Sequence, residues 1–420
     1  MGRPAHAAAR APCRRARVGG VDGARRRHRL RRPRSPLARP RAGLPRRADA
    51  AAVDQLPGAG ARQRRRHEVE EVPLPPVLPR RRHLRLPGAV VRRLPGLRAV
   101  FWFGELIARG TLRQQRRISP VPAPAPVERA QAAYLGLAIG DALGASVEFM
   151  TPKEIRHQFG VHREIVGGGW LHLRPGQVTD DTTMSLALGE AILAAGGVDA
   201  QRVAEAFDRW MRGKPVDIGN TVRRNLVAFR RSGVPESRPS EHDAGNGAAM
   251  RVLPVALACF GLPERQTIAA CRAQAHVTHH NEVSDAACET LALMVQDLLA
   301  GRALHEVRAR RVAALNERVP AFAGTRRPRE NPSGYVVDTL QAVLQALFAS
   351  DGFEDCLVDV VNRGGDADTT GAIAGMLAGA CYGLAAIPAR WLRALDPAVR
   401  AQCAAQAEAL LGACARQPVA

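Results

Sequence analysis

Residues 364–383 constrain the fold most, because a carboxylate-rich loop there runs directly into a helix of small apolar residues. The stretch reads GGDADTTGAIAGMLAGACYG. Gly371, Gly375, Gly379 and Gly383 recur at every fourth position, so one helix face lacks side chains and another helix can approach it closely. We expect this helix in a protein core. Membrane helices use the same spacing, but this apolar run is shorter than the ~20 residues that a bilayer requires.

The loop before this helix carries hard oxygen ligands. Asp366 and Asp368 stand two positions apart beside Thr369 and Thr370, and residues 179–183, TDDTT, repeat the pattern before a second small-residue helix. Helix capping is the commonest use of Asp and Thr and is the alternative for either copy. Two copies favour a metal site between facing helix starts, since adjacent carboxylates repel unless a cation neutralises them. No zinc-type His or Cys cluster accompanies them, which indicates magnesium or manganese.

The N-terminal segment, residues 1–120, differs in kind from the rest. It holds 31 of the 61 basic residues, all Arg, but seven of the 39 acidic ones, so residues 121–420 carry 30 basic and 32 acidic residues. The segment is rich in Pro and Ala and lacks a lasting apolar period, which predicts disorder. We consider two explanations for this segment: the start of the protein is mis-assigned, or the segment is a functional basic tail. Because the excess of positive charge lies in residues 1–120, it does not indicate a nucleic-acid partner for residues 121–420.

Residues 121–127, VPAPAPV, are predicted to be an extended linker, and residues 128–420 a single large domain. Seven of the eight cysteines fall in this domain without a CxxC pair, which is typical of reduced thiols in the cytoplasm. Helical periodicity dominates and alternating strands are absent, so an all-α domain is predicted. The predicted helices span 128–144, 203–211, 221–231, 286–299, 336–348 and 397–411.

Polar loops between these helices supply further candidates. The stretch GDALGASVE places Asp141 and Glu148 around two glycines, and Asp217 and Asn220 lie at a predicted helix start. Residues 245–247, Gly-Asn-Gly, precede another apparent helix and could offer backbone N–H groups to a phosphate. A turn without a binding role is the alternative. Either His279 or His280 could hold a phosphate or ribose, although an ordinary surface histidine is the alternative.

Together these stretches resemble the ADP-ribosylglycohydrolase family. The resemblance covers about residues 127–420 and leaves 1–120 unmatched. It runs in order through GLAIGDALGASVEFM (136–150), GGGWLHLRPGQVTDDTTMSLALG (167–189), PVDIGNT (215–221), DAGNGAAMRVLPVALA (243–258), SDAACETL (284–291), YVVDT (335–339) and NRGGDADTTGAIAGMLAGACYG (362–383).

The resemblance implies an orthogonal helical bundle with a cleft that holds two Mn²⁺ ions, or Mg²⁺. Glu148 would sit beside the metals, and Asp217 and Asp181 would join it in catalysis. The implied metal ligands are Thr179, Asp180, Asp181, Asp366, Asp368 and Thr369. The implied contacts to ADP-ribose are Asn220, Gly245, Asn246, Gly247, His279 and Tyr335.

This chain departs from the family pattern at two places. Thr183 stands where Glu or Gln is expected after TDDT, and residues 280–282, His-Asn-Glu, stand where a segment like NHP is expected. Neither departure falls on an implied metal ligand. Both concern the rim of the cleft, where the substrate would make contact.

Within the family, the resemblance is to a nitrogenase-linked subgroup. It implies a cytoplasmic, monomeric hydrolase that removes ADP-ribose from an arginine of dinitrogenase reductase and so reactivates nitrogenase. A PII-type signalling protein, and through it an ammonium channel at the inner membrane face, would be partners. The alternatives are hydrolysis of ADP-ribose from another acceptor and non-catalytic binding of ADP-ribose.

Overall fold

The computed structural model describes residues 125–324 and 327–414, and in them the all-α prediction is confirmed. Two isolated bridges are the extent of β structure in these ranges. The predictions for residues 1–120 lie outside the described residues. In chain order the helices are α1 (Pro126–Gly144), α2 (Pro152–Phe159), α3 (Asp180–Ala195), α4 (Ala200–Arg212), α5 (Asn220–Ser232), α6 (Leu253–Ala258), α7 (Glu264–Ala275), α8 (Glu282–Leu299), α9 (Leu304–Val307), α10 (Ala313–Arg318), α11 (Val336–Ala349), α12 (Phe353–Val361), α13 (Ala367–Tyr382), α14 (Ala389–Ala394) and α15 (Pro397–Leu410).

The glycine-striped helix α13 packs against α1, and this is the most extensive helix–helix contact of the described residues. The two backbones touch: a Cβ atom on Gly375 would lie 1.9 Å from the carbonyl oxygen of Gly136, and one on Gly371 would lie 2.4 Å from that of Gly140. The predicted core position of α13 is therefore correct. Gly383 follows the last residue of α13 and caps the helix with a φ of 78°.

Helix α1 also fixes where the two acidic motifs lie. The buried carboxylate of Asp141 in α1 accepts hydrogen bonds from the backbone N–H of Thr179 at 3.0 Å and of Thr182 at 3.1 Å. A Cβ atom on Gly144, at the end of α1, would lie 2.1 Å from the carbonyl oxygen of Ala367. The C-terminal half of α1 thus contacts the first turns of both α3 and α13.

Two local expectations differ from the structure. Helix α8 begins at Glu282, four residues before the predicted start, because the Asn281 side chain accepts hydrogen bonds from the backbone N–H groups of Val283 and Ser284. The Gly-Asn-Gly loop does not precede a helix directly, since α6 begins only at Leu253. The backbone N–H of Asn246 donates to the carbonyl of Gly334 at 3.0 Å, so it is not free to receive a phosphate.

All seven cysteines of the described residues are free thiols, and five of them are buried. Within residues 125–324 and 327–414, no helix is both long and apolar enough to cross a membrane. The glycine stripe of α13 contacts the backbone of α1 in the core.

Candidate active site

A cavity of about 550 Å³ opens where the first turns of α5 and α13 meet the Gly-Asn-Gly loop. Three of the predicted site residues do not line it. Thr179 and Asp181 lie beneath the surface, 0% and 1% exposed, and Tyr335 is 42% exposed beside the lining residue Gly334. Those that line it are Glu148, Asp180, Asp217, Asn220, Gly245, Asn246, Gly247, His279, Asp366, Asp368 and Thr369.

The two acidic motifs meet at the floor of this cavity. The Thr369 hydroxyl, at the start of α13, lies 3.4 Å from Oδ2 of Asp181 and donates to it. The Thr179 hydroxyl lies 3.3 Å from the same oxygen. Neither Thr179 nor Asp366 caps its helix through its side chain. The starts of α3 and α13 therefore lie side by side, as expected. Helix capping does not account for Thr179 and Asp366.

Carboxylate oxygens gather here without a neutralising side chain. Glu148, Asp366 and Asp368 each offer an oxygen, and these three atoms lie within 4.8 Å of one another. Oδ1 of Asp181 is buried without a hydrogen-bond partner. Among the described residues, no Lys or Arg forms an ion pair with these four carboxylates. Such a set of oxygen donors fits a divalent cation of the hard type.

Burial and mutual repulsion raise the pKa values of these carboxyl groups. Burial is the main cause for Glu148, whose pKa rises to about 8; repulsion by Asp366 and other carboxylates adds to this effect, while the hydrogen bond from Trp170 opposes it. Burial followed by repulsion from Asp217 raises the pKa of Asp180 to about 7. Burying several carboxylates together costs free energy unless a cation or protons neutralise them.

Trp170 and Phe149 belong to the site, although the sequence analysis did not single them out. The Trp170 indole N–H donates to Oε2 of Glu148 at 2.6 Å, and the rings of Trp170 and Phe149 lie 5.5 Å apart. Both side chains are half-exposed or more and line the cavity. The signal that could have found Trp170 is a large aromatic residue directly after three glycines, GGGW, since loops carry a disproportionate share of binding residues.

The segment that carries Glu148 is fastened to the loop before α13. The backbone N–H of Phe149 donates to the carbonyl of Gly365 at 2.7 Å, and the N–H of Gly365 donates to the carbonyl of Met150 at 2.9 Å. Phe149 has a φ of 63°, a left-handed conformation that costs free energy in a residue other than Gly. This turn places Glu148 beside Asp366 and Asp368.

His279 is buried, so the surface alternative for this residue is wrong. It is 2% exposed, and its Nδ1 lies 2.9 Å from the hydroxyl of Thr278. Burial, followed by the positive charges of Arg251 and Arg224, lowers its pKa to about 3. The ring is therefore neutral across the physiological range, and it can offer a ligand hydrogen bonding without charge.

Arg251 supports the side of the cavity that holds His279, and the sequence analysis did not single it out. Its buried guanidinium donates to the carbonyl of Gly247 at 3.0 Å and to the hydroxyl of Thr278 at 2.7 Å. It therefore links the Gly-Asn-Gly loop to the segment that holds His279. Asn246 in that loop donates through its side chain to Oδ2 of Asp366 at 2.6 Å. The sequence gives no signal for Arg251, because its role depends on partners distant along the chain.

Comparisons with known proteins agree on one family. The sequence profile described as ADP-ribosylglycohydrolase matches residues 122–419. The chain is 48% identical to ADP-ribosyl-[dinitrogen reductase] glycohydrolase of Rhodospirillum rubrum over 291 residues, 69% of this chain and 97% of that protein. It is 34% identical to ADP-ribosylarginine hydrolase Tri1 of Serratia proteamaculans (strain 568), covering 65% of this chain and 76% of that protein.

A solved structure supports the fold assignment as well. It is described as an ADP-ribosylglycohydrolase-related protein complex, is 37% identical in sequence, and superposes with a TM-score of 0.61. The match covers 68% of this chain and 98% of that one. With sequence, fold and an acidic cavity in agreement, the chain is an enzyme that belongs to the ADP-ribosylglycohydrolase family.

Proposed function

We propose that this enzyme hydrolyses the N-glycosidic bond between ADP-ribose and an arginine of dinitrogenase reductase, and so restores nitrogenase activity. The observation that carries the proposal is the meeting of residues 179–181 with 366–369 at one cavity. The volume of this cavity, about 550 Å³, lies within the range of pockets that hold small ligands. The acceptor is suggested by similarity to the Rhodospirillum rubrum protein, whose name specifies dinitrogen reductase.

The proposed cofactor is a pair of Mn²⁺ ions, with Mg²⁺ as the alternative. The donor set is made of oxygens, which both ions prefer. When bound, such ions lower the pKa of water and polarise the hydroxyls of a ribose. The residues that would hold them are Thr179, Asp180, Asp181, Asp366, Asp368 and Thr369.

Hydrolysis adds water across the bond between C1 of the ribose and the guanidine nitrogen. The hydroxyl oxygen bonds to C1, the C1–N bond breaks, and a proton goes to the leaving nitrogen, while oxocarbenium-like charge develops on the sugar. Glu148 lines the cavity beside Asp366 and Asp368, and as a carboxylic acid it can give that proton to the leaving nitrogen. A cation nearby lowers the pKa of a carboxyl group, which lets Glu148 also take a proton.

Asp217 and Asp181 are proposed to contribute to catalysis in different ways. Asp217 lines the cavity and is the second carboxylate available for proton transfer. Asp181 lies below the cavity floor, and we assign it a catalytic role through the metal centre. The residues proposed to contact ADP-ribose are Asn220, Gly245, Asn246, Gly247, His279 and Tyr335.

The proposed setting is the cytoplasm, because free thiols such as those of this chain persist in a reducing compartment. We propose a monomer whose partners are a PII-type signalling protein and, through it, an ammonium channel. Residues 121–420 hold 30 basic and 32 acidic residues, so they offer no excess positive charge to anionic lipid. Recruitment to the inner membrane face would depend on those partners.

One observation favours a protein other than dinitrogenase reductase as the carrier of the ADP-ribosylated arginine. The Serratia proteamaculans relative, 34% identical, is named an ADP-ribosylarginine hydrolase without reference to nitrogenase. The alternative is therefore the same hydrolysis on a different arginine-modified protein. Comparing rates on modified dinitrogenase reductase and on other arginine-modified proteins distinguishes the two.

The metal and the bond can be tested together by measuring release of ADP-ribose. We expect Asp368→Asn to abolish turnover and to lower the manganese content, because Asp368 is buried among carboxylates at the cavity floor. Asp351→Asn, which changes an exposed carboxylate, is the matched control and should change neither. Chelation should silence the wild type reversibly.

Three outcomes would contradict this proposal. Full turnover by metal-free enzyme would exclude the metal mechanism. Hydrolysis of serine-linked ADP-ribose or O-acetyl-ADP-ribose, with none of arginine-linked ADP-ribose, would exclude the acceptor chemistry. Binding of ADP-ribose without turnover of any substrate would favour the non-catalytic alternative.

A further inference from the structure

Phe149 and Trp170 form an exposed pair of aromatic rings on the lining of the active-site cavity. Phe149 is 65% exposed and Trp170 is 50% exposed, and neither side chain is part of the hydrophobic core. Phe149 also holds a left-handed φ of 63°. A strained backbone that presents a large ring to solvent adds nothing to stability, and strain of this kind is concentrated at functional sites. We call these two side chains the aromatic pair.

The backbone holds Trp170 in place before any ligand binds. The residue lies in a tight turn, closed by hydrogen bonds from the N–H of Gly168 to the carbonyl of Leu173 at 2.8 Å and from the N–H of Leu173 to the carbonyl of Gly168 at 2.9 Å. A Cβ atom on Gly169 would lie 2.3 Å from the carbonyl oxygen of Ala145, so the turn packs closely against the segment after α1. A ring held in this way loses little freedom when a ligand binds.

The aromatic pair lies where the acceptor must lie during the proposed reaction. Glu148 can give a proton to the leaving nitrogen only from within hydrogen-bonding distance, about 2.6–3.2 Å. The indole nitrogen of Trp170 is 2.6 Å from Oε2 of Glu148, and the ring of Phe149, the next residue in the chain, is 5.5 Å from that of Trp170. A guanidine nitrogen that reaches this oxygen is therefore within about 6 Å of the indole nitrogen.

The geometry of the two rings suits a cation. The Trp170 N–H donates in the plane of the indole, so its hydrogen bond to Glu148 does not occupy the faces of the ring. The planes of the two rings are inclined at 45°, so their faces are not closed against each other as in a parallel stack. Aromatic faces carry partial negative charge and attract a guanidinium within about 6 Å of the ring centre, most strongly over Trp. Guanidinium groups stay protonated at physiological pH.

The carboxylates of the cavity are less suited to attract the acceptor. They are the groups that the proposed metal ions would neutralise, and Arg223 adds a positive charge to the lining. The aromatic faces would then be left as the main attraction for a cationic acceptor. The carboxyl groups that line the cavity are those of Glu148, Asp180, Asp217, Asp366 and Asp368.

We propose that Phe149 and Trp170 bind the guanidinium of the acceptor arginine by cation–π contact, and so favour arginine over uncharged acceptors. This inference rests on the proposed hydrolysis of arginine-linked ADP-ribose. Adenine is the other planar group of the substrate, but a diphosphate and a second ribose separate it from the bond beside Glu148. The aromatic pair therefore meets the arginine side of that bond.

The test is the steady-state kinetics of the full-length, Mn²⁺-loaded protein on ADP-ribosylated agmatine, a small substrate that carries the same guanidinium group as arginine. Phe149→Leu keeps an unbranched apolar side chain at the left-handed φ and removes the aromatic face. We expect KM to rise roughly two- to thirtyfold, the range of cation–π contacts. The kcat should change less than about twofold, because the contact forms before the bond breaks. Phe149→Tyr, which restores a ring, should recover most of the lost affinity.

Calorimetry with ADP-ribose supplies a readout that does not depend on turnover. ADP-ribose has no guanidinium, so Phe149→Leu should bind it as tightly as the wild type does. The inference is overturned if Phe149→Leu keeps the wild-type KM, or if Phe149→Tyr is impaired equally. It is also overturned if binding of ADP-ribose weakens as much as KM rises, which would assign the aromatic pair to adenine or ribose. A wild-type protein that releases no ADP-ribose from agmatine would refute the proposed hydrolysis itself, and this inference with it.

Discussion

At the scale of single residues, Trp170 controls the placement of the carboxylate most involved in the proposed chemistry. Its N–H donates to Glu148 at 2.6 Å, and its ring packs beside Phe149. Trp170→Phe would keep an aromatic ring and remove only the donor. Because hydrogen bonds to charged groups contribute about 1.5–3 kcal/mol and Trp170 is half-exposed, we expect kcat/KM to fall about tenfold.

Steady-state kinetics on an arginine-modified protein would measure this loss. Trp210→Phe is the matched control, since the Trp210 N–H donates at 3.0 Å to the neutral hydroxyl of Thr183. Thr183 was expected at the rim of the cleft, but it does not line the cavity. We expect that variant to stay within about twofold of the wild type. Equal losses in the two variants would mean that Trp170 acts through general packing.

His162 should make stability depend on pH. Burial lowers the pKa of its ring, and the hydrogen bond from Nε2 to the carbonyl of Leu143, at 2.9 Å, only partly opposes this. The unfolded chain therefore binds a proton near pH 6.5 that the folded chain resists, so the free energy of unfolding falls as pH drops below about 6.5. The His162→Gln variant keeps a hydrogen-bond donor at this position. We expect its free energy of unfolding to fall less than that of the wild type when the pH is lowered from 7.5 to 5.5.

Urea titrations at the two pH values would measure both losses. His157→Gln is the control, because His157 is exposed on α2. A pH dependence unchanged by His162→Gln would show that other groups cause the acid loss.

Sequence alone identifies the residues whose chemistry shows in short patterns. Thr179 to Asp181 and Asp366 to Thr369 stand out because carboxylates crowd there twice, and the structure brings the two groups within hydrogen-bonding distance. Arg251 could not be assigned in this way, since the groups that it contacts come from other segments of the chain. The GGGW pattern marks Trp170 as a candidate, but it does not reveal the contact with Glu148. The burial of His279 likewise depends on tertiary packing.

At the scale of helices, the contact between α1 and α13 leaves no room for a methyl group. Gly375→Ala would place a Cβ atom 1.9 Å from the carbonyl oxygen of Gly136. Alanine favours a helix by about 1 kcal/mol over glycine, but separating two packed backbones costs more than the ~1–3 kcal/mol of ordinary overpacking. We expect a net loss of about 2 kcal/mol or more in the free energy of unfolding.

Denaturation in urea would measure this loss. The control is Gly197→Ala, because a Cβ atom there would meet nothing within 4 Å. We expect it to change stability by less than about 0.5 kcal/mol. If both variants were equally stable, the helices could shift apart at little cost.

Helical periodicity predicts the long elements well and the short ones poorly. The stripe in residues 371–379 gives the core position of α13, and α11 is predicted to within one residue. Six-residue helices such as α6 and α14 hold too few turns to show a period. The start of α8 was misplaced because the apolar pattern begins one turn after the Asn281 cap.

At the scale of the whole molecule, the catalytic part should not need the Arg-rich segment. The family profile begins at residue 122, and 31 of the 61 basic residues precede position 121. We expect a chain that starts at Pro122 to keep the Tm and kcat/KM of the full-length protein. Its retention on a heparin column should fall sharply, because nonspecific binding of anions follows positive charge.

Thermal denaturation and kinetics of the two proteins, purified alike, would test this. A large fall in Tm for the shorter chain would show that the preceding residues pack on the domain. Unchanged retention on heparin would place the basic surface elsewhere in the molecule.

The pairing of α1 with α13 also has a consequence for biosynthesis. The Thr369 hydroxyl contacts a residue 188 positions earlier, and Arg129 in α1 donates to the carbonyl of Ala380, 251 positions later. While the ribosome is still translating the intervening residues, α1 has no partner for its glycine face, and half of the acidic floor has yet to be made. The nascent polypeptide must therefore keep an apolar helix shielded, by a chaperone or by transient contacts, until α13 emerges.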